Sequence, residues 1–227
     1  MQFNYIISCL SDKVLSPTRR FTRYGIGPLK EGQSLTVANT LRRTLLEGIP
    51  GWGITYVSLQ GAKHEYTVLP GVRESALDLL LNLRETVLIS QYQVKESLLS
   101  GFIEKQGPGY LYARDLILPD ELAVIDPNQK IATLSNDGQI SGKFVIEYGT
   151  KYSHKPIPPK TNTFFSTGAT FFPVKRVSYS IKKEPDPVTG DISEYIFLEI
   201  LTDNSLHPRN AISYAVNYLF ELFHPLK

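Results

Sequence analysis

Four histidines, one cysteine and a scatter of carboxylates are the side chains from which these 227 residues could build a reactive centre. His64, His154, His207 and His224 stand far apart, and none has a second His or a Cys at a metal-ligand spacing. His64-Glu65 has the residue types for acid–base work, but no third group in view to orient them. Cys9 has no evident neighbour to stabilise a thiolate, the form in which cysteine attacks. Gly25-Ile26-Gly27-Pro28 lacks the later glycine and the Lys-Ser/Thr pair of a phosphate-cradling loop, and reads as a turn at a strand end. Asp12 and Glu31 make no convincing carboxylate pair, and Glu74 and Asp78, four apart, read as a solvated helix face. The expectation is a chain with no catalytic residue, no metal and no cofactor of its own.

Arg42 and Arg43 stand side by side opposite the apolar stripe of a short helix. Arginine presents a planar fork of donors and is easier to desolvate at an interface than lysine. Two in a row on a short helix fit either a solvated face or a docking point for a partner's carboxylates and carbonyls, and the residues alone leave both open.

Three helices must position these groups. The first is predicted over Thr36–Glu47, with Val37, Leu41 and Leu45 at helical spacing, Ala38 and Leu46 widening the stripe, Thr36 as cap, and Gly48 and Pro50 as stop signals. The second is predicted from Val72 to Arg84, after the Pro70-Gly71 turn, with Val72, Ala76, Leu79, Leu80 and Leu83 on its buried face. The third runs from Pro208, well placed at a first helical position, to Phe223. Ala211, Ile212, Ala215, Leu219, Leu222 and Phe223 keep the helical period. Val216, Tyr218 and Phe220 add apolar surface beyond one stripe, which predicts burial against another chain or deep in this one. Strand signals cover Ile54–Leu59, Val177–Ile181 and Tyr195–Leu201, the last two joined as an antiparallel hairpin by a Pro- and Asp-rich loop. Lys151–Lys160 reads as a basic, Pro-rich surface loop.

Hydrophobic residues at 42% and charged residues at 20% are ordinary for a globular protein. A net charge of +2 is too small to imply nucleic-acid binding by bulk charge. The lone cysteine excludes an internal disulfide and fits a reducing compartment. No apolar run approaches a membrane span, and the first residues lack the marks of a secretory signal or a transit peptide. If the protein works in an organelle, the expectation is that it is made there.

The segment Gly27-Pro28-Leu29-Lys30-Glu31-Gly32, followed by Asn39-Thr40-Leu41-Arg42-Arg43-Thr44-Leu45-Leu46, resembles the signature of the RNA polymerase α subunit's N-terminal region. Further matches follow in the same order: Gly61–Tyr66, Pro70–Glu74 with Leu79–Glu85, Phe172–Tyr179, and Leu198–Pro208. The resemblance covers roughly residues 20–227. The variants Lys105–Tyr110 and Asp115–Pro119 look plastid, which implies a plastid-encoded protein of a chloroplast.

The resemblance implies an α+β fold in two parts. Residues 1–50 and 174–227 would form a dimerisation domain, an antiparallel sheet with two helices, and residues 51–173 an inserted, mostly β domain with one helix. It implies a homodimer paired through Leu41, Leu45, Ile212, Ala215, Leu219, Leu222 and Phe223. It also implies an assembly platform for β-type and β′-type subunits through Arg42, Arg43, Leu46, Arg84 and the Phe172–Val174 region, with Arg43 the more important of the arginines. Arg84 stands where the family commonly has lysine. Mg would be held by another subunit of the holoenzyme, and plastid accessory proteins are candidate further partners. No membrane contact and little direct DNA contact are expected. The family's C-terminal helical domain has no counterpart before Lys227, and His207 replaces the usual capping Asp, Ser or Thr, predicting a weaker helix start. The rival readings are a nucleic-acid binder, relying on Lys151–Lys160 with Lys175, Arg176, Lys182 and Lys183, and an enzyme without a recognisable site.

Overall fold

A computed structural model describes residues 6–90, 98–150, 164–185 and 191–226. The chain divides into two compact units, Met1–Ile49 with Phe172–Lys227, and Pro50–Phe171. The expected domain limits, 50/51 and 173/174, lie one and two residues further along the chain.

The first unit is one four-stranded antiparallel sheet, in the order β1 (Ile6–Ser16), β2 (Arg19–Lys30), β12 (Ile192–Thr202) and β11 (Val174–Pro185). Two helices, α1 (Gln33–Glu47) and α3 (Pro208–Phe223), belong to this unit and share its core. Alternation decides which face they cover. Ile196, Leu198 and Ile200 on β12 are fully buried, while Tyr195, Phe197 and Glu199 between them are only half-buried. Val177, Ile26, Leu41, Leu45, Ile212 and Ala215 complete that core. Each Val, Leu or Ile side chain among them contributes about 1.5–3 kcal/mol on full burial.

The glycine-rich Gly25–Pro28 is not a terminal turn, as its composition suggested. It lies inside β2, which pairs on both sides, with β1 and β12. The ring of Tyr195 lies over Gly27, where an added Cβ would approach it to 2.5 Å. The glycine is there for close packing.

Two helix starts also differ from expectation. α1 begins at Gln33, three residues before Thr36, and Thr36 does not cap it. α2 (Ala76–Arg84) begins four residues after Val72, because Val72 and Ser75 bridge to Leu134 and Val68 as extended chain. Ser75 is its cap. The Ser75 hydroxyl accepts the Asp78 N–H at 3.2 Å, and the Asp78 carboxylate accepts the Ser75 N–H at 3.1 Å. The third helix spans Pro208–Phe223 as predicted, and His207 caps it after all, its Nδ1 accepting the Arg209 N–H at 3.1 Å.

The second unit holds α2 and three small sheets. The largest has the order β10 (Phe165–Ser166), β3 (Gly51–Leu59), β9 (Gln139–Gly149) and β5 (Leu98–Gln106). The others pair β4 (Leu88–Ser90) with β7 (Leu122–Val124), and β6 (Gly109–Tyr112) with β8 (Lys130–Leu134). Leu79, Leu80 and Leu83 of α2 close on Ile54, Ile103, Ile131 and Phe144. Phe144 packs over Gly101, where a Cβ would lie 2.3 Å from its ring. Glu74 is not on the helix and is not a solvated partner of Asp78. It accepts the Thr133 N–H at 2.6 Å and its hydroxyl at 2.9 Å, with Lys130 at 3.7 Å. Burial pushes its carboxyl up, and those contacts, together with its own backbone N–H, outweigh burial and hold it below its ordinary value.

Candidate functional site

α1 presents two faces. Ser34, Ala38, Leu41, Thr44 and Leu45 are buried, and Arg42 and Arg43 are exposed. Neither guanidinium makes a hydrogen bond or ion pair with a described residue. Thr40 and Thr44 turn their hydroxyls back onto the carbonyls of Thr36 and Thr40, at 2.7 and 3.0 Å, so the apolar side of the helix carries few free donors. The Tyr179 hydroxyl donates to Asn39 Oδ1 at 2.7 Å and ties α1 to β11.

Between α1 and α3 lies a groove of about 700 Å³, floored by Ile26 and Leu29 and walled by Val37, Val216, Leu219 and Phe223. Ile7 of β1 closes one side. Beside it the end of α3 exposes Phe220, 68% accessible, together with Leu222 at 54% and Phe223 at 56%. Single exposed apolar side chains are ordinary, but a groove continuous with an aromatic helix end is not.

The seven expected pairing residues divide on this geometry. Leu41, Leu45, Ile212 and Ala215 are buried in the chain's own core, and Leu41 and Ile212 also line the groove. They form the stripe that the helical period brings onto the sheet. Leu219 is partly buried against that core, and Leu222 and Phe223 are exposed. Ile7 and Leu29 also line the groove, with no signal in the sequence that marks them, and Val216, part of the apolar surplus on α3, lines it too.

The expected assembly residues are placed as follows. Arg42 and Arg43 lie on the outer face of α1, and Leu46 packs partly against the core that holds Val174. Val174 is buried and Phe172 half-buried. Arg84 ends α2 in the other unit, exposed, with its guanidinium 3.1 Å from Glu85.

Three of the cations named for nucleic-acid binding face carboxylates: Lys175 and Asp203 at 3.8 Å, Lys182 and Glu184 at 3.0 Å, Lys183 and Glu31 at 2.7 Å. Lys151–Lys160 lies outside the described residues. Among those described, no group of three or more His, Cys, Asp or Glu could hold a metal ion. No described helix is long and apolar enough to cross a membrane.

Residues 56–165 match the family model of the RNA polymerase Rpb3/RpoA insert domain. That places the chain in the class of proteins built around this insert. The whole chain narrows the class. It is 38% identical to the DNA-directed RNA polymerase subunit alpha of Mesostigma viride, over 99% of this chain and 70% of that one. It is 39% identical to the same subunit of Guillardia theta, over 97% and 69%, and 34% identical to that of Gloeobacter violaceus, over 98% and 71%. The chain belongs to the DNA-directed RNA polymerase subunit alpha family.

Proposed function

We propose that this chain is a non-catalytic assembly subunit of a plastid RNA polymerase, which pairs with a second copy and presents the pair to the β-type and β′-type subunits. The observation that carries the reading is the groove between α1 and α3, open to solvent and continuous with Phe220 and Phe223. A two-fold axis would set the end of one copy's α3 into the groove of the other, an isologous contact that covers both patches at once. Residues 1–50 and 174–227 would then be the pairing domain, and 51–173 the insert. Leu219, Leu222 and Phe223 keep their pairing role, with Val216, Phe220 and Ile7 added. Leu41 and Ile212, which line the groove, would lie under the incoming helix, and Leu45 and Ala215 would act by holding the two helices in place.

Arg42 and Arg43 are exposed on the face of α1 away from its core, and their guanidinium groups make no bond to a described residue, which suits donors awaiting carboxylates or carbonyls of a large subunit. Leu46, Arg84 and the Phe172–Val174 stretch are proposed as further contacts, with accessory proteins of the plastid as other partners. Any Mg chemistry would belong to another subunit.

The test is the molar mass of the purified chain by light scattering. The wild type should be a dimer and Leu219→Glu a monomer. Val216→Glu, on the groove wall but outside the core cluster, should give the same result if the first variant folds poorly. Arg43→Ala should leave the dimer whole and lose the β-type subunit on co-purification. A monomeric wild type would remove the platform, and undiminished recovery of the β-type subunit would remove the arginine's role.

A further inference from the structure

α1 starts without a cap of its own. Its N-cap position is Gly32, at φ 84°, and no side chain there accepts a hydrogen bond from the first turn. The first turn contains no acidic residue either. A helix start leaves four N–H groups unsatisfied, and here one residue of an otherwise exposed turn, Ser34, is fully buried.

The acceptor comes from 160 residues away. Glu194, on β12, is itself buried, and its Oε2 accepts the Ser34 N–H at 3.2 Å. Its Oε1 faces the Lys183 ammonium at 3.4 Å, and the same ammonium reaches Glu31 at 2.7 Å. The backbone donors, Gly32 first, and Lys183 hold the carboxyl below its ordinary value. One side chain thus joins β12, β11 and the first turn of α1. Local chemistry adds little, since Gln33 Oε1 only reaches back to the Lys30 N–H at 3.3 Å.

The rest of α1 does not depend on this junction, because Ala38, Leu41 and Leu45 anchor it in the core. The first turn does. Gly32, Gln33, Thr36 and Val37, at this end of the helix, line the groove together with Thr40 and Leu41 further along it. We propose that Glu194 is a positioning residue for self-association: from β12 it fixes the first turn of α1, and with it the groove wall on which a second copy docks. The inference rests on the pairing reading above.

The experiment uses the full chain as wild type, Glu194→Ala and Glu194→Gln, measuring dimer dissociation by sedimentation and amide exchange along α1. Ile200→Val, a core trim in the same sheet away from the junction, is the control for general loss of stability. Glu194→Ala should speed exchange at Gly32–Ser34, leave Leu41–Leu45 unchanged, and raise the dissociation constant about tenfold, since the buried Ser34 N–H loses its acceptor. Glu194→Gln should fall between, because it keeps one acceptor oxygen but turns an amide N–H₂ toward Lys183, and it carries the test if the alanine variant does not fold. The control should lower Tm with no change in dissociation. Variants that dissociate no more than the control, or that leave first-turn exchange unchanged, overturn the proposal while the wild-type dimer stands. A wild type that stays monomeric at every concentration overturns the pairing reading as well.

Discussion

The two units finish their cores to different degrees. Pro50–Phe171 surrounds its apolar side chains, so that Phe144, Leu79, Leu83, Ile103 and Ile146 are fully buried, and its exposed apolar residues are spread over several elements. The unit built from both chain ends also has a closed core under α1 and α3, but it leaves the end of α3 and most of β1 uncovered. The helices show the same contrast. α2 carries its own capping box, whereas α1 borrows Glu194 from a distant strand. A segment that satisfies itself locally can be read, folded and tested alone. One that borrows its partners registers changes elsewhere, and an unfinished surface registers the concentration of the protein.

The contrast is sharpest if the largest available damage to the second unit leaves pairing untouched. Phe144→Ala opens a cavity above Gly101 and should cost that unit about 3–5 kcal/mol of stability. Denaturant unfolding should show the loss, and light scattering should still return a dimer below the transition. A monomeric but folded variant would mean that pairing is not a property of the first unit alone.

A smaller change compares the two ways of starting a helix. Ser75→Ala removes the cap of α2 and should cost about 1 kcal/mol, read as a lower thermal midpoint that does not move with protein concentration beyond the wild-type dependence. Glu194→Ala should instead change self-association. If Ser75→Ala weakened the dimer as well, the local and the borrowed cap would not differ in the way the structure indicates.

The sequence made the self-contained features easiest to read. The apolar period delimited α3 to the residue, and strand alternation found the β11–β12 hairpin. The start of α1 was hidden because its cap is tertiary, and Gly32 gives no sign of Glu194. The start of α2 was open to reading, since Ser75 and Asp78 stand at capping-box spacing, but the apolar Val72 drew the helix too far forward. Helical period also merged two roles on α3. It grouped the residues that hold the helix to its sheet with those that stay exposed, and only the surplus at Val216 and Phe220 pointed past the core. The assembly positions came from resemblance. Nothing in the spacing of Arg42 and Arg43 separates a solvated face from a docking point.

The smallest predicted effect concerns β1, the least buried strand of the unfinished unit. Most of its residues are exposed, and it is held to β2 by the ladder and by one polar cluster. Asp12 accepts from Arg20 Nε at 2.9 Å and from the Thr22 hydroxyl at 2.9 Å. The Arg20 hydrogen bond lowers its pKa to about 2, against burial, which acts in the opposite sense. A carboxylate with a depressed folded pKa stabilises the fold fully above its unfolded value of roughly 3.9, and the contribution fades as pH falls from there through about 2. Because the pair is near the surface, screening reduces it to roughly 0.5–1 kcal/mol. Asp12→Asn should therefore cost about that much at pH 7, with a mutant-minus-wild-type difference that shrinks toward zero between pH 4 and pH 2. Amide exchange in Ser11–Val14 is the local measurement, taken against Leu79–Leu83 as the reference in the second unit. Equal acceleration in both would mean that β1 is not held by this cluster, and that the two units differ less in how they are tied together than their surfaces indicate.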